Sequence, residues 1–400
     1  MEPKEQVQQD QQLTKVVTNL KYDLKIFITN KCNQKCVYCF ERDTMHKLNT
    51  HINEETINDI CRFVRSDINM INSLNFLGGE TFLNIDDIDK ILTKLYDLLI
   101  STKIEVCFFT NGMIFNDDVM RMYKKFSKLN LFVYISDHNM SLSNKFSISY
   151  NHLEFLIDNN IRYELRLLFD SAKLIHPDKL NEYFINIRNE SLEVNLFPAY
   201  FDKRNIIDSK MMENFKTWCA NNISNIDTCL IKSLLSDVFK IERIIDPPET
   251  HKTCDRCGAG VVELAITTDG TILGCEAFMD ADDLEIINVS EVNSIAEVRS
   301  KSHQMRYLLK RFNSDPEKCN RCRYRVVCTN CRYNFTTNTN VYSEKSKEVC
   351  NFMKLMYYTA IDIASLLLVE LHKRSYKDHI DLLDEIKLLH SEVLYYESIK

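Results

Sequence analysis

The chain has 400 residues, of which 45% are hydrophobic and 27% are charged, so it is long enough for more than one folded domain. Its formal net charge of −7 argues against a general nucleic-acid or membrane-surface binder, because phosphate groups attract a basic surface. No apolar stretch is long enough to span a bilayer, and the polar beginning of the chain has no signal-peptide core, so we expect a cytoplasmic protein.

Residues 1–22 are predicted to be a flexible N-terminal tail. From residue 23 to 200, short apolar segments alternate with segments of helical periodicity, which is the pattern of β/α units around a parallel sheet. The predicted strands cover residues 23–29, 73–78, 103–110, 131–136, 163–169 and 192–198. The predicted helices cover residues 53–69, 86–101, 116–127, 151–159 and 178–189. The pattern predicts an α/β fold of the partial (β/α)6 TIM-barrel type, with its chemistry at the carboxyl ends of the strands.

Three further segments are predicted after the barrel. Residues 201–252 are a helical linker, and residues 253–350 are a cysteine-rich domain with one β-hairpin. The hairpin turns at Asp269-Gly270, since this dipeptide favours a tight turn between apolar strands. Residues 351–400 carry apolar side chains at helical spacing and are predicted to form C-terminal helices.

Cysteine is frequent in this chain, with 15 residues. A cytoplasmic compartment keeps thiols reduced, so this number indicates metal or cluster ligation instead of disulfides. Cys32, Cys36 and Cys39 follow the first predicted strand with the spacing C-x3-C-x2-C. Three thiolates would leave one iron of a four-iron cluster open, whereas clusters that only carry electrons usually have four cysteine ligands. A zinc site completed by a histidine such as His46 or His51 is the alternative.

This spacing resembles the signature loop of the radical SAM (S-adenosylmethionine) superfamily. The second predicted strand ends in Gly78-Gly79-Glu80. Glycines at a strand end let the backbone approach a ligand closely, and a neighbouring carboxylate can accept bonds from an ammonium group. The resemblance implies that this run contacts the amino group of the methionine part of SAM. A tight strand-to-helix turn is the structural alternative.

Three single residues are further candidates for SAM contacts. Asn111 lies in a Thr-Asn-Gly run that is a turn signal by itself but is similar to the run closing the third strand in relatives. Ser136 ends the fourth strand and is a candidate for the ribose or carboxylate of SAM, although the leucine and glycine that often follow it in relatives are missing. Arg166 is a candidate for the SAM carboxylate, with a structural ion pair as its alternative.

The cysteine-rich segment resembles the SPASM domain, with Gly270 between Cys257 and Cys275 and a later C-x2-C-x5-C-x2-C block. SPASM domains have three residues in the last gap of that block, so this chain departs from the pattern there. The resemblance implies two auxiliary 4Fe–4S clusters, which makes three clusters in all. The implied ligands are Cys254, Cys257, Cys275 and Cys331 for the first, and Cys319, Cys322, Cys328 and Cys350 for the second. A structural zinc remains the alternative for the C-x2-C-x5-C-x2-C block.

Glu276 directly follows Cys275. In the sulfatase-maturing relatives an acidic residue at this place, typically an aspartate, acts as a base on the substrate. The resemblance therefore makes Glu276 a candidate catalytic base, and a solvated loop carboxylate is the alternative.

Together these resemblances imply a radical SAM enzyme with a SPASM extension. It would cleave SAM to a 5′-deoxyadenosyl radical, which takes a hydrogen atom from a peptide or protein substrate. The electron would come from an external reductant such as flavodoxin or ferredoxin. Peptide maturation by a crosslink or other oxidative change is the first expectation, and formylglycine formation by an anaerobic sulfatase-maturing enzyme is the second. A multi-cluster electron-transfer protein and a zinc-stapled interaction module represent other classes.

Overall fold

Nine strands of the described chain form one sheet in the order β6-β5-β4-β3-β2-β1-β7-β8-β9. The computed structural model describes residues 21–36, 39, 50–137, 150–169, 193–198, 216–217, 220–221, 223–225, 258–278, 287–302, 305, 322, 324 and 347–373. Strands β1 to β6 pair in parallel with their neighbours, as expected for successive β/α units. The predicted partial barrel is therefore confirmed.

The elements lie close to their predicted positions. Strands β1 to β6 are Tyr22–Thr29, Ile71–Gly78, Glu105–Thr110, Asn130–Asp137, Arg162–Phe169 and Glu193–Pro198. Helices α1 to α4 are Glu54–Asp67, Ile85–Thr102, Asp117–Lys125 and Tyr150–Asp158. The predicted helix at 178–189 lies outside the described residues. Every other predicted bound in the barrel is within two residues of the observed one, because hydrophobic periodicity is a local signal.

Two barrel helices begin at asparagine caps. The Asn53 side chain accepts a hydrogen bond from the Thr56 amide in α1. Asn116 does the same for Val119 in α3. These bonds satisfy backbone N–H groups that have no partner inside the helix. They help to set where each helix starts after its preceding strand.

Side chains of β1 alternate between two faces of the sheet, as the strand geometry requires. Leu24 and Ile28 lie in the main core, together with the buried faces of α1 to α4. Phe27 packs against Ala265 and Leu273 on the opposite face, which is the inner face of the partial barrel. The inner face is the one that the candidate site uses.

The predicted hairpin exists and belongs to the barrel sheet. Strand β7 (Glu263–Ile266) pairs in parallel with β1, and β8 (Thr271–Leu273) returns antiparallel to it. Strand β9 is Ile287–Asn288. Gly270 lies at the turn with φ +88°, a conformation that L side chains rarely adopt. The hairpin belongs to the predicted cysteine-rich segment 253–350, and its first strand extends the barrel sheet.

Two helices are described after the hairpin. Helix α5 is Ile295–Lys301, and helix α6 is Lys347–Lys373. Helix α6 covers the first part of the predicted C-terminal helical segment, and residues 374–400 lie outside the described part of the chain. Among the described helices, none combines the length and apolar character needed to cross a membrane.

A histidine lies in the core between α3 and α4. His152 is 0% exposed and stacks on Phe115, with 4.5 Å between the ring centroids. Its Nε2 atom lies 3.4 Å from the hydroxyl oxygen of Tyr123. Burial lowers the pKa of His152 from 6.5 to about 4, because the charged ring would lose its hydration.

This shift predicts a loss of stability in mild acid. The unfolded chain binds a proton near pH 6.5 and the folded chain only near pH 4, so the stabilisation is complete above the first value and is lost as the pH falls. Between pH 7 and pH 5 the free energy of unfolding should fall by about 2 kcal/mol from this group. Urea unfolding of the metal-free protein at both pH values measures it. His152→Phe should lose this part of the pH dependence, and an unchanged dependence would contradict the assignment.

Candidate active site

The three cysteines of the first motif follow the carboxyl end of β1. Cys32, Cys36 and Cys39 are all half-buried. The Cys39 amide donates to the Cys36 carbonyl over 3.3 Å, and the Gln34 amide points at the Cys32 sulfur at 3.4 Å. The chain thus turns tightly within the motif and brings three thiols to one end of the sheet. Soft thiolate donors grouped in this way suit an iron–sulfur cluster.

The two ends of this loop meet at a neck formed by residues 28–30 and 50–52. The Asn30 amide donates to the Thr50 carbonyl over 2.9 Å, and the Ile52 amide donates to the Ile28 carbonyl over 3.0 Å. His51, a possible zinc ligand in the sequence analysis, pairs across the neck with Thr29. His46 lies outside the described residues. The zinc alternative is therefore not tested.

Gly78 and Gly79 pack against the start of the cysteine loop. The Gly79 amide donates to the Thr29 carbonyl over 2.9 Å, and the Glu80 amide donates to the Lys31 carbonyl over 2.8 Å. A Cβ atom at Gly79 would lie 2.3 Å from the Lys31 oxygen. The close approach of the chain to itself thus requires glycine here, and the contact of these glycines with SAM stays a prediction.

Glu80 is buried, and the chain itself supplies donors to its carboxylate. The Thr110 hydroxyl donates over 2.7 Å, the Asn111 amide over 2.8 Å and the Phe82 amide over 3.2 Å. Burial raises the pKa of Glu80 above its usual range, although these three bonds act in the opposite direction. The carboxylate thus holds the end of β3 beside the end of β2. Its contact with SAM stays a prediction.

Asn111 connects the end of β3 to the cysteine loop. Its side-chain amide donates to the Asn33 side-chain oxygen over 2.7 Å, and its own oxygen accepts from the Met113 amide over 3.1 Å. In addition, the Gln34 side chain lies 2.7 Å from the Met113 sulfur. Asn33 and Gln34 were missed by the sequence analysis. Their only signal was their place between the first two cysteines.

Ser136 and Arg166 are brought together by the register of β4 and β5, in which they are direct partners. The Arg166 Nε atom donates to Glu164 over 2.8 Å, so the ion pair considered as an alternative is present. The guanidinium group also lies over the Tyr134 ring, 3.9 Å from its centroid. Ser136 is the last residue but one of β4 and Arg166 lies in the middle of β5, level with Ser136, and their contacts with SAM stay predictions.

Glu276 lies on the inner face of the barrel in an ion-pair cluster with Lys25 and Glu263. The Lys25 Nζ atom is 2.7 Å from Glu276 and 3.0 Å from Glu263, and its side chain is only 13% exposed. The Cys275 thiol points at the same Glu276 oxygen over 3.0 Å. Glu276 is therefore held by partners instead of being a solvated loop carboxylate. Lys25 was missed, because a single lysine in a strand carries no pattern.

The two central charges of this cluster stabilise each other. Burial acts to lower the pKa of Lys25, but attraction by Glu276 and Glu263 outweighs it and raises that pKa. Burial acts to raise the pKa of Glu276, but the Lys25 ammonium outweighs it and lowers that pKa. Both groups are thus charged at neutral pH.

The ligand atoms of Glu263, Cys275 and Glu276 lie within 4.8 Å of one another, as in a small metal site. The Lys25 ammonium contacts both carboxylates, so its charge opposes a cation bound between them. Of the other predicted auxiliary ligands, Cys322 is described as half-buried, and Cys350 lies in α6. The remaining five lie outside the described residues: Cys254, Cys257, Cys319, Cys328 and Cys331.

Comparison with known proteins bears directly on the cysteine loop. Residues 26–138 match the sequence profile of the Radical SAM superfamily. This chain carries a radical SAM domain. The matched range begins in β1, contains the three cysteines and the glycine pair, and ends just after β4. The family implies one 4Fe–4S cluster and SAM, and the three thiols on the loop fit such a cluster.

Relatives and solved structures extend the likeness beyond this domain. The radical SAM cyclopropyl synthase TigE of Paramaledivibacter caminithermalis is 25% identical in an alignment of 296 positions, and the match covers 66% of this chain and 60% of TigE. The structure of anSMEcpe with bound AdoMet and Cp18Cys peptide has a TM-score of 0.62 at 15% identity, covering 87% of this chain and 99% of the other. Streptococcus suis SuiB bound to the precursor peptide SuiA has a TM-score of 0.56 at 17% identity, covering 88% and 81%. The match thus spans less than two thirds of TigE, and the two structures establish the fold.

Proposed function

We propose that this protein is a radical SAM peptide maturase, which takes a hydrogen atom from a residue of a peptide to install a crosslink or another oxidative modification. The observation that carries the proposal is the loop of Cys32, Cys36 and Cys39, held against Gly79 within a radical SAM domain. A cluster with three cysteine ligands has one iron open for SAM. The fold shared with anSMEcpe and SuiB, whose structures hold peptides, supports a peptide substrate.

Two groups of residues would have separate roles, one in holding the cluster and one in binding SAM. Cys32, Cys36 and Cys39 would hold the cluster, which when bound supplies the electron that splits SAM into methionine and a 5′-deoxyadenosyl radical. The ends of β2 to β5 would bind and orient SAM through Gly78-Gly79-Glu80, Asn111, Ser136 and Arg166. Because the groups of β2 to β4 lie at the carboxyl ends of neighbouring strands and Arg166 is level with Ser136, one ligand could contact them together.

The second part of the chain would complete the oxidation. Cys275 and the other cysteines of the segment 253–350 would hold two auxiliary clusters, which would supply an acceptor for the electron left on the substrate. Glu276 would accept a proton from the substrate, provided that substrate binding separates it from Lys25. A sulfatase-maturing enzyme that makes formylglycine is the second candidate. The position of Glu276 on the inner face of the barrel, beside Lys25, supports this second candidate.

The test of the proposal is SAM cleavage under anaerobic conditions. After reconstitution with iron and sulfide and reduction, the protein should convert SAM to 5′-deoxyadenosine. The C32A/C36A/C39A variant should lose this activity and about four irons per chain. A fully loaded protein that does not cleave SAM would instead be an electron-transfer protein.

The auxiliary clusters need a separate control. Cys319→Ala together with Cys322→Ala should remove only part of the iron and leave the SAM-dependent change in the spectrum of the first cluster. Finding zinc at this block in the unaltered protein would contradict the proposal of two auxiliary clusters.

A further inference from the structure

The neck of the cysteine loop contains a cluster of three polar side chains from distant parts of the chain, of which Asn30 and Thr268 are buried and Thr50 is exposed. The Asn30 side-chain amide donates to the Thr50 hydroxyl over 2.9 Å and to the Thr268 hydroxyl over 3.1 Å. The two hydroxyl oxygens are 3.0 Å apart. Asn30 is 2% exposed and Thr268 is 5% exposed, so water competes little for the bond between these two side chains.

Thr268 reaches the neck because of the sheet order. It belongs to the turn of the β7–β8 hairpin, and β7 lies beside β1 in parallel register. The turn therefore stands at the same end of the sheet as the cysteine loop. Asn30 and Thr50 belong to the start and the end of that loop, and Thr268 contacts both. Its hydroxyl thus joins the two halves of the neck to the hairpin.

The hairpin turn has its own bonds and does not depend on the Thr268 hydroxyl. The Gly270 amide donates to the Thr267 carbonyl over 3.0 Å, and the Thr267 amide donates to the Thr271 carbonyl over 2.9 Å. The Thr267 hydroxyl binds Asp269 within the same turn. Thr267 and Thr268 therefore differ, because the Thr267 hydroxyl binds within the turn and the Thr268 hydroxyl points out of it.

We propose that Thr268 is a positioning residue that closes the neck of the cysteine loop, and so holds the cluster ligands in the geometry that SAM cleavage requires. This inference rests on the proposed function of the loop. The hairpin is held on β1 at a second place, where Lys25 binds Glu263 and Glu276. One hairpin thus sets the position of the cysteine loop and that of Glu276.

The test compares Thr268→Val with Thr268→Ser and uses Thr267→Val as the matched control. Each valine removes one buried hydroxyl and keeps the branched shape. Trypsin cleavage of the metal-free protein within the loop, which contains Lys31, Lys35, Arg42 and Lys47, reports how often the neck opens. Loss of the shared hydroxyl should raise cleavage in the T268V protein about five-fold. T268S should restore the original rate, and T267V should not raise it.

A second readout uses the loaded protein. In T268V the electron paramagnetic resonance spectrum of the reduced first cluster should differ from that of the unaltered protein, and its change on adding SAM should be smaller. T268S should again restore both. Thr50→Val together with T268V should do less than the sum of the two single changes, because each single change already removes the bond between the two hydroxyls.

Three results would overturn the inference. They are equal loop cleavage in T268V and the unaltered protein, an equal increase in T267V, and additive effects of the Thr50 and Thr268 changes. If the proposed function is wrong, the unaltered protein shows no response to SAM. The rates of trypsin cleavage in the metal-free variants and the unaltered protein still report on the neck in that case.

Discussion

Gly79→Ala should slow SAM cleavage about 100-fold, because a displacement of about 1 Å at a reacting centre has an effect of this size. The added Cβ would lie 2.3 Å from the Lys31 carbonyl oxygen and 2.9 Å from the Cys32 Cβ, whereas ordinary contact begins at 3.4 Å. Neither of these atoms can rotate away as the end of a long side chain can. The cysteine loop itself would have to move, and its first ligand would move with it.

The measurement is the rate of 5′-deoxyadenosine formation by the reduced, reconstituted protein, together with its iron content. Leu83→Ala is the control, since Leu83 lies in the same turn after β2 and is 40% exposed. It introduces alanine nearby without a clash and should change the rate little. A G79A protein with the original iron content and a rate within about two-fold would mean that the loop tolerates the displacement.

Lys25→Met should lower the free energy of unfolding by roughly 2–3 kcal/mol, since removing one partner leaves two partly buried carboxylates without their counter-charge. Lys25 contacts Glu276 at 2.7 Å and Glu263 at 3.0 Å, and all three side chains are less than one third exposed. Urea unfolding of the metal-free protein at pH 7 measures the change. Replacing Glu263 and Glu276 by glutamine in the same protein should recover part of the loss, because no unpaired charge then remains.

The matched control is Lys125→Met on the surface. Lys125 pairs with Asp89 at 2.6 Å, but these side chains are 49% and 38% exposed. An exposed pair contributes less than about 1 kcal/mol, so the change should be small. Equal losses for the two lysines would contradict a desolvated cluster inside the barrel.

The effect of Lys25→Met should also depend on pH. The raised pKa of Lys25 means that its contribution is complete below its usual value of 10.5 and is lost as the pH rises further. The lowered pKa of Glu276 means that its contribution is complete above its usual value of 4.5 and is lost as the pH falls. The difference between the two proteins should therefore be largest between these values.

Much of the barrel was predictable because its signals are local. Apolar runs and helical periodicity located β1 to β6 and α1 to α4 to within two residues. The Asp-Gly turn signal located the hairpin, and Gly270 has the positive φ that such a turn requires. The cysteine spacing indicated the radical SAM domain, which the profile match over residues 26–138 confirms.

The polar contacts of the site were not predictable in the same way. Two of the three partners of Glu80 come from the end of the next strand, and a partner of Asn111 comes from the cysteine loop. The sequence around Glu80 and Asn111 predicted a ligand contact or a turn, and it did not predict contacts between these side chains and their observed neighbours. Which side chains meet at the end of a sheet depends on which strands become neighbours, and hydrophobic periodicity does not report this.

The sequence alone predicted six parallel strands, with three cysteines after the first strand and a glycine pair after the second. The pairing of β1 with a hairpin about 240 residues further along became visible in the tertiary structure. That pairing brings Glu263 and Glu276 to Lys25 and brings Thr268 to the neck of the cysteine loop. The physical reason is that periodicity reports which face of an element is buried, whereas the partner of an edge strand is chosen by contacts between distant segments.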